Sequence, residues 1–203
     1  MKLIEYFLTN QDRPLIHKPL SYFDIYERYF RQYVGRSVKV LEIGIGQGGA
    51  LLMWKRYFGD ESEIVGIDIN QKCTKCQGEG IRIYIGDQAS IAFLNSVILK
   101  EKMFDIIIDD GGHMMNQQIA SYKHLFQFVK EGGLYLCEDT GTSYRKEYRD
   151  INDTFIEMAK REIDKVNNLN IDLRSVHIHD SIIVFEKGKK QEHNTTAIGR
   201  AVL

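Results

Sequence analysis

Proline is almost absent from this chain: its 203 residues contain only Pro14 and Pro19. Irregular extended backbone is therefore expected around Leu15-Ile16-His17-Lys18, the stretch the two prolines bracket. Cysteine is scarce as well. An odd set of three, Cys73, Cys76 and Cys137, is not a disulfide framework, which points to a reducing compartment such as the cytoplasm. Cys73 and Cys76 do form a C-x-x-C, but no second ligand pair follows at zinc-site spacing, so they read as two thiols on a loop or short helix. No apolar run approaches the length of a bilayer span, and the N-terminal stretch before Pro14 is too weakly apolar for a signal peptide. A net charge of −1 supplies no overall field toward nucleic acid or an anionic membrane. Internal repeats and low-complexity tracts are missing too.

What remains is an ordinary globular composition, 43% hydrophobic and 27% charged, enough for one domain with a core of its own. Tyr22, Ile25, Tyr26, Tyr29, Phe30 and Tyr33 recur at helical spacing and predict a helix over Ser21 to Tyr33, stopped by Gly35. Strands and helices then alternate. Val38 to Ile43, Glu63 to Asp68, Ile81 to Ile85, Phe104 to Asp109 and Leu134 to Glu138 read as strands. Helices are expected up to Tyr57, from Gln88 to Leu99, and along the face carrying Met115, Ile119, Tyr122, Phe126 and Val129. A last helix from Asn152 to Val166 precedes two β-rich runs, Ile171 to Ile178 and Ile182 to Glu186, at hairpin spacing. This order predicts an α/β three-layer sandwich around a mostly parallel seven-stranded sheet with one antiparallel late strand. The expected division is an N-terminal segment and helix at 1–35 that can act as a lid, a nucleotide-binding domain at 36–187, and a polar tail at 188–203.

The first strand ends in Glu42-Ile43-Gly44-Ile45-Gly46-Gln47-Gly48-Gly49. Glycines here let the backbone turn sharply and approach a ligand closely. Gly44, Gly46 and Gly49 satisfy the dinucleotide pattern, and Asp68 follows at the distance of a ribose-binding acid. Three features separate the alternatives. Glu42 is awkward beside a pyrophosphate but useful near a sulfonium that also carries an ammonium group. Gly86-Asp87 closes the third strand, where an acid can accept from an adenine amino group. No second βαβαβ half follows.

A second set of polar residues ends the fourth and fifth strands: Asp109-Asp110-Gly111-Gly112-His113 and Glu138-Asp139. Neighbouring parallel strands deliver such residues to one crevice. Carboxylates suit a hard divalent ion, which can lower the pKa of a bound hydroxyl, and a histidine can take its proton. Asp110, Glu138 and Asp139 are candidate ligands and His113 the candidate base. The plainer reading makes His113 or one of the aspartates a helix cap.

Glu42-x-Gly44-x-Gly46-x-Gly48, Asp68 and Gly86-Asp87 resemble the successive motifs of class I methyltransferases that use S-adenosylmethionine (SAM). The resemblance implies that the glycine loop underlies the methionine part, Asp68 binds the ribose, and Asp87 with Gln88 borders the adenine. His17, Ile69 and Asp109 complete the implied cofactor set. Ile108 to His113, Gly132-Gly133-Leu134-Tyr135, Glu138-Asp139, Thr142-Ser143-Tyr144, Trp54 and His17-Lys18 further resemble the metal-dependent sugar O-methyltransferases of macrolide deoxysugars and bacterial glycans. The likeness runs from about residue 15 to 150. It implies magnesium or manganese on Asp110, Glu138 and Asp139, His113 as base, Tyr144 at the acceptor, and a sugar hydroxyl of a glycosylated metabolite or polysaccharide as substrate. Gly112 stands where serine is common in that family, and Thr140-Gly141 where a bulkier pair is usual. The N-terminal accessory domain of the larger antibiotic enzymes has no counterpart in these residues. A non-sugar acceptor, a nicotinamide-dependent oxidoreductase and a non-catalytic subunit are the competing readings. Neither nucleic acid nor membrane insertion is expected, and a homo-oligomer is compatible with the sequence.

Calorimetric titration separates the two cofactor classes. S-adenosylhomocysteine should bind and NADH should not; the reverse would reopen the oxidoreductase reading.

Overall fold

The computed structural model describes residues 2–168, 172–189 and 195–199. Seven strands form one sheet: β1 (Lys39–Ile43), β2 (Glu63–Asp68), β3 (Ile81–Ile85), β4 (Phe104–Asp109), β5 (Val129–Cys137), β6 (Leu173–His179) and β7 (Ile182–Lys187). Their order is β3-β2-β1-β4-β5-β7-β6. β7 runs antiparallel to both its neighbours and every other pairing is parallel. The expected sheet and its one reversed late strand are therefore both present.

The pleat explains the layers, because successive side chains leave a strand on opposite faces. Val40, Ile106, Ile108, Leu134, Leu136, Ile182 and Val184 join one core. Leu41, Ile43, Ile107, Tyr135, Ile183 and Phe185 join the other. On the first face pack α1 (Leu3–Leu8), α2 (Tyr22–Phe30) and α3 (Gly49–Phe58); on the second, α4 (Ile91–Glu101), α5 (Met115–Leu125) and α6 (Phe155–Asn168). Aromatic side chains dominate the first face. Trp54 is fully buried and meets the rings of Tyr26 and Phe30 edge-on, at 5.1 and 5.7 Å. Tyr22 and Tyr26 are thus largely core residues, although both hydroxyls reach the site described below.

Several element boundaries differ from those expected. The helix expected at Gln88 starts at Ile91, because the Ser90 hydroxyl accepts from the Phe93 amide and caps it. Gln88 is left in the preceding turn, buried. Val129 was expected on a helical face but opens β5: α5 ends at Leu125, one tight turn covers Phe126–Phe128, and the β-branched Val129 goes extended beside Phe104. The late runs give β6 and β7, while Ile171 lies outside the described residues. So does much of the expected tail, namely 190–194 and 200–203. α1 has no counterpart in the sequence reading. Among the described residues no helix is long and apolar enough to cross a membrane.

Trp54→Ala should cost about 3–5 kcal/mol in urea unfolding, the usual penalty for removing a buried aromatic. A loss near zero would mean that the α2–α3 contact carries no stability.

Candidate active site

The strand order reverses between β1 and β4, and in such sheets the crevice lies beyond the C-terminal strand ends. The backbone holds those ends side by side. The Asp110 amide donates to the Ile43 carbonyl at 2.9 Å, and the Glu138 amide to the Asp109 carbonyl at 2.9 Å. Gly44, at φ 85°, lies so close to this junction that a Cβ there would collide with the Asp110 carbonyl. Only glycine permits the approach.

A cavity of about 490 Å³ occupies the crevice. Its wall contains His17, Glu42, Gly44, Gly46, Asp68, Ile69, Asp87, Gln88, Asp110, His113, Glu138 and Asp139. Three residues named from the sequence lie elsewhere. Gly48 caps α3 at φ 82° and faces a neighbouring hollow beside Cys76. Tyr144 is 71% exposed, outside the cavity wall. Asp109 is fully buried, and this corrects its placement among the cofactor contacts: its carboxylate accepts from Ser121, from Tyr135 at 2.8 Å and from Gln88 at 3.0 Å. Burial still raises its pKa, against the pull of those donors. Gln88 returns its carbonyl oxygen to the Gly112 amide at 2.9 Å. Both ends of that amide therefore brace the loop carrying His113.

At the glycine end, Asp68 accepts from the Gly46 amide at 3.1 Å and the Asn70 amide at 2.8 Å. Asp87 is exposed and accepts from the Ala89 amide at 2.8 Å. At the acidic end, one oxygen of Asp110, one of Asp139 and a ring nitrogen of His113 lie within 4.8 Å of one another. His113 Nε2 is 3.8 Å from Asp110 and 3.5 Å from Asp139. His113 and Asp139 both adopt left-handed backbone, φ 59° and 53°. Each of the two loops, after β4 and after β5, thus has one non-glycine residue in this sparsely populated conformation, which concentrates at functional sites.

Glu138 stands apart from that trio. It is buried, accepts from Tyr26 at 2.7 Å, and pairs with the Lys18 ammonium at 2.9 Å. Lys18 also reaches Asp110 at 2.6 Å and approaches Glu42 to 3.7 Å. Burial opposes the ammonium, but Asp110 and Glu138 outweigh it and hold Lys18 protonated well above its ordinary range. Burial also pushes Glu42 up to about 7, against the pull of Lys18. The sequence named Lys18 only as half of a basic pair with His17. No spacing signals a lysine that travels 120 positions along the chain to meet its partner. Tyr22, whose hydroxyl donates to Asp139 at 2.6 Å, was likewise read chiefly as core.

No protein-family model matches the sequence. The chain is 31% identical over 193 residues to mycinamicin VI 2''-O-methyltransferase of Micromonospora griseorubida, covering 82% of this chain and 48% of that protein. It is 30% identical over 197 residues to the 8-demethyl-8-alpha-L-rhamnosyl tetracenomycin-C 2'-O-methyltransferase of Streptomyces olivaceus, covering 85% and 52%. The fold superposes on MycE methyltransferase, solved in complex with Mg, SAH and mycinamycin VI, at a TM-score of 0.85 and 30% identity, covering 100% of this chain and 57% of that one. The chain thus spans about half the length of the curated relatives it matches.

The buried Glu42 makes a pH prediction. Its folded pKa of about 7 lies above the ordinary 4.5, so the native state holds the extra proton between these values. Stability from this group is therefore full below about pH 4.5 and lost as pH rises through 7. Glu42→Gln should remove that slope and stabilise the protein at pH 8 by about 1–3 kcal/mol. Unfolding measured across this range would contradict the assignment if wild type and variant ran parallel.

Proposed function

The chain belongs to the class I methyltransferases as a relative of the sugar O-methyltransferases of macrolide and tetracenomycin biosynthesis, and we propose that it transfers the SAM methyl group to a sugar hydroxyl with the help of a divalent ion. The observation carrying this reading is the convergence of a glycine-loop cavity with Asp110, His113 and Asp139 at one sheet end.

In this reading Gly44 and Gly46 let the backbone close on the methionine part of the cofactor, and Glu42 faces its ammonium group. Asp68 takes the ribose and Asp87 the adenine edge. The donor set Asp110, Glu138 and Asp139 is hard oxygen, which fits magnesium or manganese. Such an ion, when bound, holds the acceptor hydroxyl and lowers its pKa. His113 Nε2 faces the same two aspartates and takes the hydroxyl proton as the oxygen attacks the methyl carbon, whose bond to the sulfonium breaks to release S-adenosylhomocysteine. Tyr22 orients Asp139 through its hydroxyl. An acceptor contact for Tyr144 rests on the family resemblance alone, since the residue is exposed outside the cavity wall. A glycosylated metabolite is the acceptor class favoured by the relatives' names. A polysaccharide acceptor, a cytoplasmic location and a homo-oligomeric state are finer readings that rest on the sequence.

A second role for His113 has an observation in its favour, since its ring nitrogen lies within ligand distance of the Asp110–Asp139 pair. One experiment tests both roles. Methyl transfer from labelled SAM to a glycoside panel should require magnesium and stop in excess EDTA. His113→Ala should bind S-adenosylhomocysteine and manganese like wild type, while turnover falls roughly 10²–10⁴-fold. Lost manganese affinity would make His113 a ligand instead. Activity on phenols or amines alone would overturn the sugar assignment, and turnover indifferent to EDTA would overturn the metal.

A further inference from the structure

Lys18 and Glu42 are the two buried charges that the proposed reaction leaves unexplained as a pair. The span between Pro14 and Pro19 is fastened to the core by the buried Ile16 and lies directly on the start of α3, where Gly49 has no room for a Cβ against the Leu15 carbonyl. It inserts the Lys18 ammonium among three carboxylates. Asp110 Oδ2 and Glu138 Oε2 hold it at 2.6 and 2.9 Å. The other Glu138 oxygen, Oε1, accepts from Tyr26. Both Glu138 oxygens are therefore already engaged, and an ion approaching Oε2 meets the ammonium there.

Glu42 is the opposite case. It is fully buried, and neither of its oxygens makes a hydrogen bond of good geometry, the Trp54 indole N–H and the Lys18 ammonium being the donors beside it. The nearest cation is the same Lys18 ammonium, at 3.7 Å from Oε1. A displacement of about 1 Å would bring the two to charge-assisted hydrogen-bond distance, about 2.8 Å. A lysine stem with four rotatable bonds allows this without moving the backbone.

We propose that Lys18 is a positioning residue that exchanges places with the divalent ion: when the ion takes Asp110 and Glu138, the ammonium retreats onto Glu42. The inference rests on the reading of those two acids as ligands. Charge supports it. With both acids ionised, as binding an ion requires, one ammonium leaves the Asp110–Glu138 pair one negative charge in excess, and a divalent ion balances the pair. The displaced ammonium meanwhile moves closer to a buried carboxylate that it now only approaches, at 3.7 Å. Lys18 thereby keeps the acid cluster assembled before the ion arrives and couples the ion to the residue beneath the cofactor.

The test reads the ammonium itself and the affinity for manganese. In wild-type protein labelled with ¹⁵N-lysine, a protected ammonium signal, absent from Lys18→Met, should shift on adding magnesium, and the shift should be lost in Glu42→Gln. Manganese binding, followed by electron paramagnetic resonance, should tighten about tenfold in Lys18→Met, which lacks the competitor, and weaken about tenfold in Glu42→Gln, which lacks the refuge. In the double variant the Glu42 effect should vanish. If Lys18→Met fails to fold, the wild-type spectrum and the Glu42→Gln affinity decide alone. Manganese binding with an unmoved ammonium, or no tighter in Lys18→Met, overturns the exchange and leaves the metal site standing. No manganese binding to wild type overturns the metal site and the exchange with it.

Discussion

Four carboxylates, those of Glu42, Asp110, Glu138 and Asp139, are forced together where β1, β4 and β5 end, and the fold has to tolerate that repulsion. Desolvation makes the burden heavier, since Glu42 and Glu138 are fully buried. A single ammonium, two tyrosine hydroxyls and one imidazole stand against it. Much of the surrounding architecture follows from this need. The N-terminal span crosses the first face of the sheet to deliver Lys18, and α2 packs beneath it to deliver the hydroxyls of Tyr22 and Tyr26. The aromatic cluster of Tyr26, Phe30, Trp54 and Phe58 is then both a core and the footing of the acid site.

The second face supports the same site by a different route. Asp109 belongs to the acidic run in sequence but points away from the cavity, into a buried set with Ser121, Tyr135 and Gln88. That set joins α5, β5 and the turn after β3. Through the Gly112 amide it fixes the loop on which His113 sits in left-handed backbone. Adjacent residues of one strand end thus do opposite work, Asp109 bracing the loop and Asp110 facing the cavity. The alternation of the pleat imposes that division.

Similarity to the mycinamicin and tetracenomycin sugar enzymes extends over most of this chain but only about half of theirs. The structural match to MycE covers all of this chain and therefore the cavity described above. Tyr144 stands exposed outside the cavity wall.

The sequence by itself determined the sheet, its reversed late strand and the two ends that carry chemistry. These are local properties: hydrophobic period, glycine punctuation and acids at strand termini are each written within about ten residues. It also drew the acids that end β4 and β5 to one end of the sheet, because parallel strands must end on the same side. The tertiary structure decided the rest. Whether an acid faces the cavity or the core depends on one residue of register, which separated Asp109 from Asp110. Whether Val129 continues a helix or opens a strand depended on Phe104 beside it. The role of Lys18 was out of reach, because a charge paired across 92 and 120 positions is written in no local pattern. Only the packing of the N-terminal span against α3 brings that ammonium to its carboxylates.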